Sequence, residues 1–246
     1  PVYCSCGSSQ NLNLWVLKDL SQIYDYAIKP NINEIEFLST TSKENVERDF
    51  SVILERASGK GKNALSSAYE NDVYSAMSRV EFLEKFKLAD KPLMFVMLHA
   101  FNDHPLSLFG SLLFSDYSEW FVQTYRFAIQ DKTKNWIFKE HPENQFYLTK
   151  DLDLKKTMSN LPDNVRFIAH DSPIKASVVM NVADAVITCL GTAGVEMPAL
   201  NGIPSIIASN TFYNGLGFTI EPKTRNEYFE VLANFKPKKL SPELQF

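Results

Sequence analysis

From residue 91 onwards, short apolar runs alternate with segments of helical spacing, and this alternation constrains the fold more than any other feature. The runs are rich in β-branched and aromatic residues, as buried parallel strands are. They lie at 93–98, 135–138, 165–169, 185–189 and 205–208. Helices are predicted between them at 117–129, 173–182 and 192–200. This order predicts right-handed βαβ units and an α/β fold, a Rossmann-like, doubly wound parallel sheet.

The first 90 residues have a different pattern. Apolar residues recur with a helical period over 11–26 and again over 74–86, and no strong strand is followed by a helix. We therefore divide the chain into an incomplete, mostly helical N-terminal segment over 1–90 and a Rossmann-like domain over 91–246.

Composition excludes several function classes. The chain has 246 residues, 45% of them hydrophobic, and a formal charge of −4, which is typical of globular proteins and not of duplex nucleic-acid binders. It has no apolar run of about 18 residues and no signal-peptide pattern. Three cysteines, an odd number without a zinc-ligand pattern, indicate reduced thiols. We expect a cytoplasmic protein without a metal or cofactor, and leave open a peripheral contact with the inner face of the membrane.

Ligands of such sheets bind at the carboxyl ends of the strands, so the polar residues that follow each run are the site candidates. After the first run come His99, Asp103 and His104, which can supply acid–base groups or phosphate contacts, or can simply cap a loop. After the second run come Lys139 and His141, held by the proline that follows. Both can donate hydrogen bonds to the developing charge of a phosphate, although a surface histidine beside a turn is the alternative.

The third and fourth runs end in helix-start signals. Ser172 after the third run is placed to cap a helix, with a secondary role in contacting a nucleotide base. After the fourth run, Gly191, Thr192 and Ala193 predict an anion site made of backbone amides, to which glycines allow close approach. Glu196, one turn later, can accept hydrogen bonds from ribose hydroxyls. The dinucleotide fingerprint and the Walker loop are both missing. The spacing therefore indicates a mononucleotide mono- or diphosphate, and the alternative is an ordinary capped helix that packs tightly through Gly191 and Gly194.

Four segments in order carry a family resemblance: KEHP at 139–142, DAVIT at 184–188, GTAGVE at 191–196 and ALNGIP at 199–204. Residues 91–230 resemble the nucleotide-binding half of bacterial capsule and surface-polysaccharide glycosyltransferases. These have the GT-B fold, and the group includes Kdo transferases, with a His-Pro motif shared by bacterial sialyltransferases. The resemblance implies that His141 contacts the donor phosphate, Thr192 is the Ser/Thr position and Glu196 is the acidic position. Glu140 departs from the pattern, since a small or apolar residue is more usual there.

Two function hypotheses of different class follow. The first is a metal-independent glycosyltransferase that moves a sugar from a nucleotide donor, CMP-linked by resemblance, to a glycan or glycolipid acceptor of a capsule or lipopolysaccharide. Lys139, His141 and the helix start would stabilise the departing phosphate, and Asp103 or a group elsewhere would be the base. The second is a non-catalytic nucleotide-binding scaffold of a polysaccharide assembly complex. A transferase for CDP-activated polyol phosphate is a related alternative, and an epimerase is disfavoured because its acid–base carboxylates are not evident.

Overall fold

The computed structural model describes residues 2–7, 12–17, 51, 77–102, 112–145 and 153–241, with backbone alone at 2–7 and 12–17. Near the N-terminus, β1 (Val2–Gly7) and β2 (Leu12–Leu17) pair antiparallel, with Cys4 opposite Trp15. The helix predicted over 11–26 is therefore wrong at 12–17. Its apolar residues also fit an alternating pattern, with leucine, leucine and valine at every second position, and strand pairing uses that period.

The main sheet has six parallel strands. They are β3 (Leu93–Met97), β4 (Asn135–Lys139), β5 (Val165–Ile168), β6 (Ala185–Thr188), β7 (Ser205–Ile207) and β8 (Thr219–Ile220). Their order across the sheet is β5-β4-β3-β6-β7-β8, and every neighbouring pair is parallel. This confirms the five predicted strands and the Rossmann-like class, since the order is that of a doubly wound sheet with a switch point between β3 and β6.

Helices flank the strands on both faces. They are α1 (Arg79–Phe86), α2 (Tyr117–Gln130), α3 (Leu154–Thr157), α4 (Ala176–Val182), α5 (Ala193–Asn201) and α6 (Arg225–Asn234), with a short 3₁₀ turn at Pro142–Gln145. Helix α2 begins after Asp116, whose carboxylate accepts from the Glu119 amide. Within the described ranges, every helix is too short or too polar to span a bilayer.

Two apolar layers hold the sheet, one on each face. Helices α2 and α6 pack on the face that carries Met94 and Val96, while α1, α4 and α5 pack on the face that carries Leu93 and Phe95. The alternation within β3 follows from the pleat, which turns successive side chains to opposite faces. Phe82 of α1 is fully buried in the second layer, so this helix packs with the sheet although it precedes residue 91. The boundary at residue 90 stays a prediction.

One ion pair closes the amino edge of the sheet. Asp184 Oδ2 accepts from the Leu93 amide and from Arg79 Nη1, each at 2.8 Å. Arg79 also donates to the carbonyls of Val182 and Lys91. The aspartate of the DAVIT segment therefore joins β3, β6 and α1 at the edge opposite the carboxyl ends, where it has a structural role.

Candidate functional site

A pocket opens at the carboxyl edge of the sheet, across the switch point between β3 and β6. The loops that follow β3, β4, β5 and β6 all contribute to its wall. Its polar and charged lining residues are His99, Lys139, Glu140, His141, His170, Lys175, Thr188, Thr192 and Glu196, with Gly191 and Ala193 at the start of α5. This is the place where doubly wound sheets bind their ligands.

His99 holds the turn that leads from β6 into α5. The Leu190 backbone amide donates to His99 Nε2 at 3.1 Å, and Thr188 Oγ1 lies 3.2 Å from the same nitrogen. Nε2 is therefore an acceptor, and Nδ1 carries the ring proton. Burial lowers the pKa of His99 to about 3, and the nearby His141 adds to this effect, so the ring is neutral at pH 7. Its Nε2 is occupied within the fold, which favours a supporting role over the predicted acid–base role.

The glycines of the fourth strand end are required by packing within the protein. A Cβ on Gly191 would lie 2.8 Å from Thr188 Oγ1, the atom that accepts from the Gly191 amide. A Cβ on Gly194 would collide with the Tyr213 hydroxyl and lie 2.9 Å from Ile207 Cδ1. Tyr213 Oη in turn donates to the Gly191 carbonyl at 2.9 Å. Packing within the protein therefore accounts for both glycines, and the close approach of a ligand to them stays a prediction.

Lys139 is the last residue of β4 and is 7% exposed. No carboxylate among the described residues forms an ion pair or hydrogen bond with its ammonium group, although Glu140 is near enough to act electrostatically. Burial, and then repulsion from Lys175, lowers the pKa of Lys139 to about 8. A buried cation that no described carboxylate contacts directly is unfavourable, and an anionic ligand in the pocket would relieve that.

Glu140 connects the loops after β4 and β5. Its Oε2 accepts from the His170 amide at 2.9 Å and lies 3.0 Å from His170 Nδ1, while Oε1 accepts from Asn144 Nδ2 at 2.8 Å. Only 8% of the Glu140 side chain is exposed. Glu140 is thus the centre of a buried polar network beside Lys139.

Most of the predicted site residues meet in this pocket. Lys139, His141, Gly191, Thr192, Ala193 and Glu196 all line it. Asp103 and His104 lie outside the described residues. Cys189 is buried as a free thiol, and burial raises its pKa.

Ser172 does not line the pocket. Its hydroxyl accepts from the Ile174 amide at 3.2 Å within the loop, and α4 begins only at Ala176, after Lys175. The predicted helix start at 173 and the predicted cap by Ser172 are therefore wrong. The Ile174 side chain is 1% exposed. The non-helical residues 173–175 place it in the core before the helix begins.

Sequence reasoning left out two cationic or basic side chains of the pocket, His170 and Lys175. Both follow β5, where a capped helix start accounted for the pattern. Only their positions in the sequence could have indicated that they line the pocket: His170 comes two residues after β5 ends, and Lys175 directly precedes α4.

Formal charges in the pocket nearly cancel. Lys139 and Lys175 face Glu140 and Glu196 across a space that also contains three histidines, His99, His141 and His170. Leaving the imidazoles out of the count, two positive charges balance two negative ones. The Ala193 amide, at the start of α5, adds the partial positive charge of a helix N-terminus.

Comparisons with known proteins add a distant structural neighbour. No protein-family profile and no curated protein sequence matches the chain. Among solved structures, the UDP-GlcNAc 2-epimerase of Methanocaldococcus jannaschii, in complex with UDP-GlcNAc and UDP, is similar over 72% of this chain and 48% of that chain. The identity is 15% and the TM-score is 0.44. This chain therefore spans about half the length of that enzyme.

Proposed function

We propose that the pocket binds the phosphate of a nucleotide sugar and that the protein is a glycosyltransferase of the GT-B type. Lys139 carries this proposal. Its ammonium group is nearly buried, lacks a carboxylate partner among the described residues and lies at the carboxyl edge beside the switch point. An anion is the ligand that such a group favours most.

The neighbouring groups fit a phosphate ester. His141 lines the pocket beside Lys139, and the Ala193 amide lies at the start of α5. In transfer, the acceptor hydroxyl oxygen bonds to the anomeric carbon of the sugar while the bond from that carbon to the phosphate oxygen breaks. The nucleotide leaves with the electron pair, and donors placed around its phosphate stabilise the charge that develops.

The rest of the donor and the acceptor are assigned by resemblance. Glu196 lies one turn into α5, where its carboxylate can accept hydrogen bonds from ribose hydroxyls. The four motif segments favour a CMP-linked sugar and a growing capsule or surface polysaccharide as acceptor. Asp103 remains the proposed base for the acceptor hydroxyl.

A nucleotide-binding survey followed by a turnover assay tests the proposal. Calorimetry compares CMP, CDP, UDP and GDP on the whole chain, with Lys139→Met as the test variant and Lys155→Met as the matched control. Lys155 is an exposed lysine outside the pocket, paired with Asp171. We expect one nucleotide to bind, Lys139→Met to weaken binding at least tenfold and Lys155→Met to leave it unchanged.

The outcomes separate the two function hypotheses. Release of the nucleotide from its sugar, with or without an added glycan acceptor, supports the transferase. Binding of the nucleotide without release or transfer supports the non-catalytic scaffold. Failure of all four nucleotides to bind would contradict both.

A further inference from the structure

The pair formed by Glu140 and His170 is a buried carboxylate that orients an imidazole. One carboxylate oxygen, Oε2, meets both the His170 amide and the His170 ring at Nδ1. These two contacts fix the position of the loop after β5 and the rotation of the ring. Since a carboxylate can only accept, Nδ1 carries a proton.

The ring nitrogen left for a ligand is His170 Nε2. His170 lines the pocket, and 26% of its side chain is exposed. The arrangement is the one by which carboxylates orient histidines in metal and acyl-transfer sites: one nitrogen is held from behind, and the other faces the reactant. Here His170 and Lys139 line the same pocket.

We infer that His170 is a further binding residue for the ligand phosphate, donating from Nε2 as an imidazolium, and that Glu140 is its positioning residue. This inference rests on the proposed function, since it takes a phosphate as the ligand. It assigns to Glu140, which departs from the family pattern, the part of supplying the negative charge behind the ring.

The charges around the pair support the assignment. Glu140 lies behind the ring, and Lys139 and Lys175 lie along the pocket with His141 and Glu196. Asp171, the next residue, is exposed and paired with Lys155. The two lysines are matched in number by Glu140 and Glu196, so an entering phosphate adds negative charge to a pocket that already contains two carboxylates. A proton on His170, between the phosphate and the Glu140 carboxylate, restores the balance.

Nuclear magnetic resonance gives a direct readout, because the chain contains only four histidines. The probe is inorganic sulfate, which has the shape and charge of phosphate and exchanges no proton near neutral pH. We expect saturating sulfate to move the His170 ring resonance to the imidazolium position at pH 7. The His99 ring resonance should stay at the position of a neutral imidazole, since the pKa of His99 is about 3.

Two variants separate positioning from folding. Glu140→Gln keeps the shape of the side chain, and its amide oxygen can still accept from His170. Asn144 can rotate its own amide so that Oδ1, which is buried without a partner among the described residues, accepts from the new amide group. We expect Glu140→Gln and His170→Gln each to weaken sulfate binding about tenfold, as removal of one charged hydrogen bond does, and the double variant to add little more. In Glu140→Gln, sulfate should no longer drive His170 to the imidazolium. Lys155→Gln, which removes the neighbouring exposed ion pair, should behave as wild type.

Sulfate that saturates the pocket while the His170 resonance stays at its neutral position would overturn the inference. Wild-type affinity in Glu140→Gln would overturn it as well. Either result leaves the proposed function in place as long as a nucleotide binds in the calorimetric survey. Absence of both sulfate and nucleotide binding would contradict the proposed function itself.

Discussion

At the scale of single residues, Lys139 has a charged side chain in a place that disfavours the charge. Its ammonium group is held where water is scarce and a second lysine is near, and both lower its pKa to about 8. The charged form of Lys139 is therefore less favourable in the folded protein than in water. A group kept at such a cost at the carboxyl edge of a parallel sheet is typical of a binding site.

Replacing Lys139 with methionine should therefore stabilise the protein while weakening anion binding. The pKa of Lys139 is about 8 in the folded state against a reference of 10.5. At pH 7 the charge is present in both states, so its burial destabilises the fold by up to about 3 kcal/mol. As the pH rises from 8 towards 10.5, the folded state loses the proton first and this penalty disappears.

Urea unfolding of both proteins across this pH range measures the effect. The unfolding free energy of Lys139→Met should exceed that of wild type at pH 7, and the difference should shrink above pH 8. A variant that is less stable than wild type at pH 7 would show that the ammonium group has a stabilising partner.

His141→Ala should reduce turnover far more than stability. The side chain is half-buried and lines the pocket. In the proposed function, its loss removes a donor to the leaving phosphate. One such donor is worth roughly 10²–10³ in rate, whereas a rim truncation costs about 0.5 kcal/mol in folding. Donor-saturated turnover and the thermal midpoint, compared with wild type, check this prediction. Near-normal turnover would remove His141 from the mechanism.

At the scale of elements, the start of α5 is fixed by contacts from three directions. The Tyr213 hydroxyl binds the Gly191 carbonyl, Thr188 binds the Gly191 amide and His99 binds the Leu190 amide. The Ala193 amide, for which no described residue is an acceptor, is therefore held in one position before any ligand arrives. Preorganised donors of this kind are more effective than mobile ones.

Gly194→Ala should disrupt this start. The added methyl group would meet the Tyr213 ring and Ile207 Cδ1, both in the packed core. We expect a loss of about 1–3 kcal/mol in unfolding free energy, as for other overpacked sites, together with weaker nucleotide binding. Gly215→Ala is the control, because it is exposed to open space and its strain, at φ +84°, is local. Unchanged nucleotide affinity in a folded Gly194→Ala protein would show that the α5 start does not contribute to the site.

The sequence predicts the strands of the sheet better than its loops. The runs at β3, β4 and β6 are buried on both faces, and such strands are continuous apolar stretches that need no alternation to be recognised. The two-residue strand β8 is too short to leave such a trace. At 12–17, helical and strand periods both fit, and the pairing with β1 decided for the strand.

The candidate site was predicted in part for a related reason. Residues at the end of a strand or just beyond it, such as Lys139 and His141, are placed by the strand itself. The contact between Glu140 and His170 joins positions 30 apart in sequence and depends on β4 lying beside β5. Strand order is a tertiary property, so no local pattern could pair the two residues.

At the scale of the whole molecule, the fold separates structural from functional polar residues. The amino edge is closed by the Arg79–Asp184 pair, and the carboxyl edge carries the open pocket between β3 and β6. The order in which successive strands are added to the sheet reverses at that point, which leaves a crevice between the loops. We therefore propose that the phosphate binds at the carboxyl edge of the sheet and not at the amino edge.

A crystal structure of the whole chain with the nucleotide that binds in the calorimetric survey tests this placement most directly. We predict a phosphate oxygen within hydrogen-bond distance of Lys139 Nζ, His141 and the Ala193 amide, with the ribose towards Glu196. A nucleotide bound at the amino edge beside Asp184, or one whose phosphate does not contact Lys139, would contradict the account.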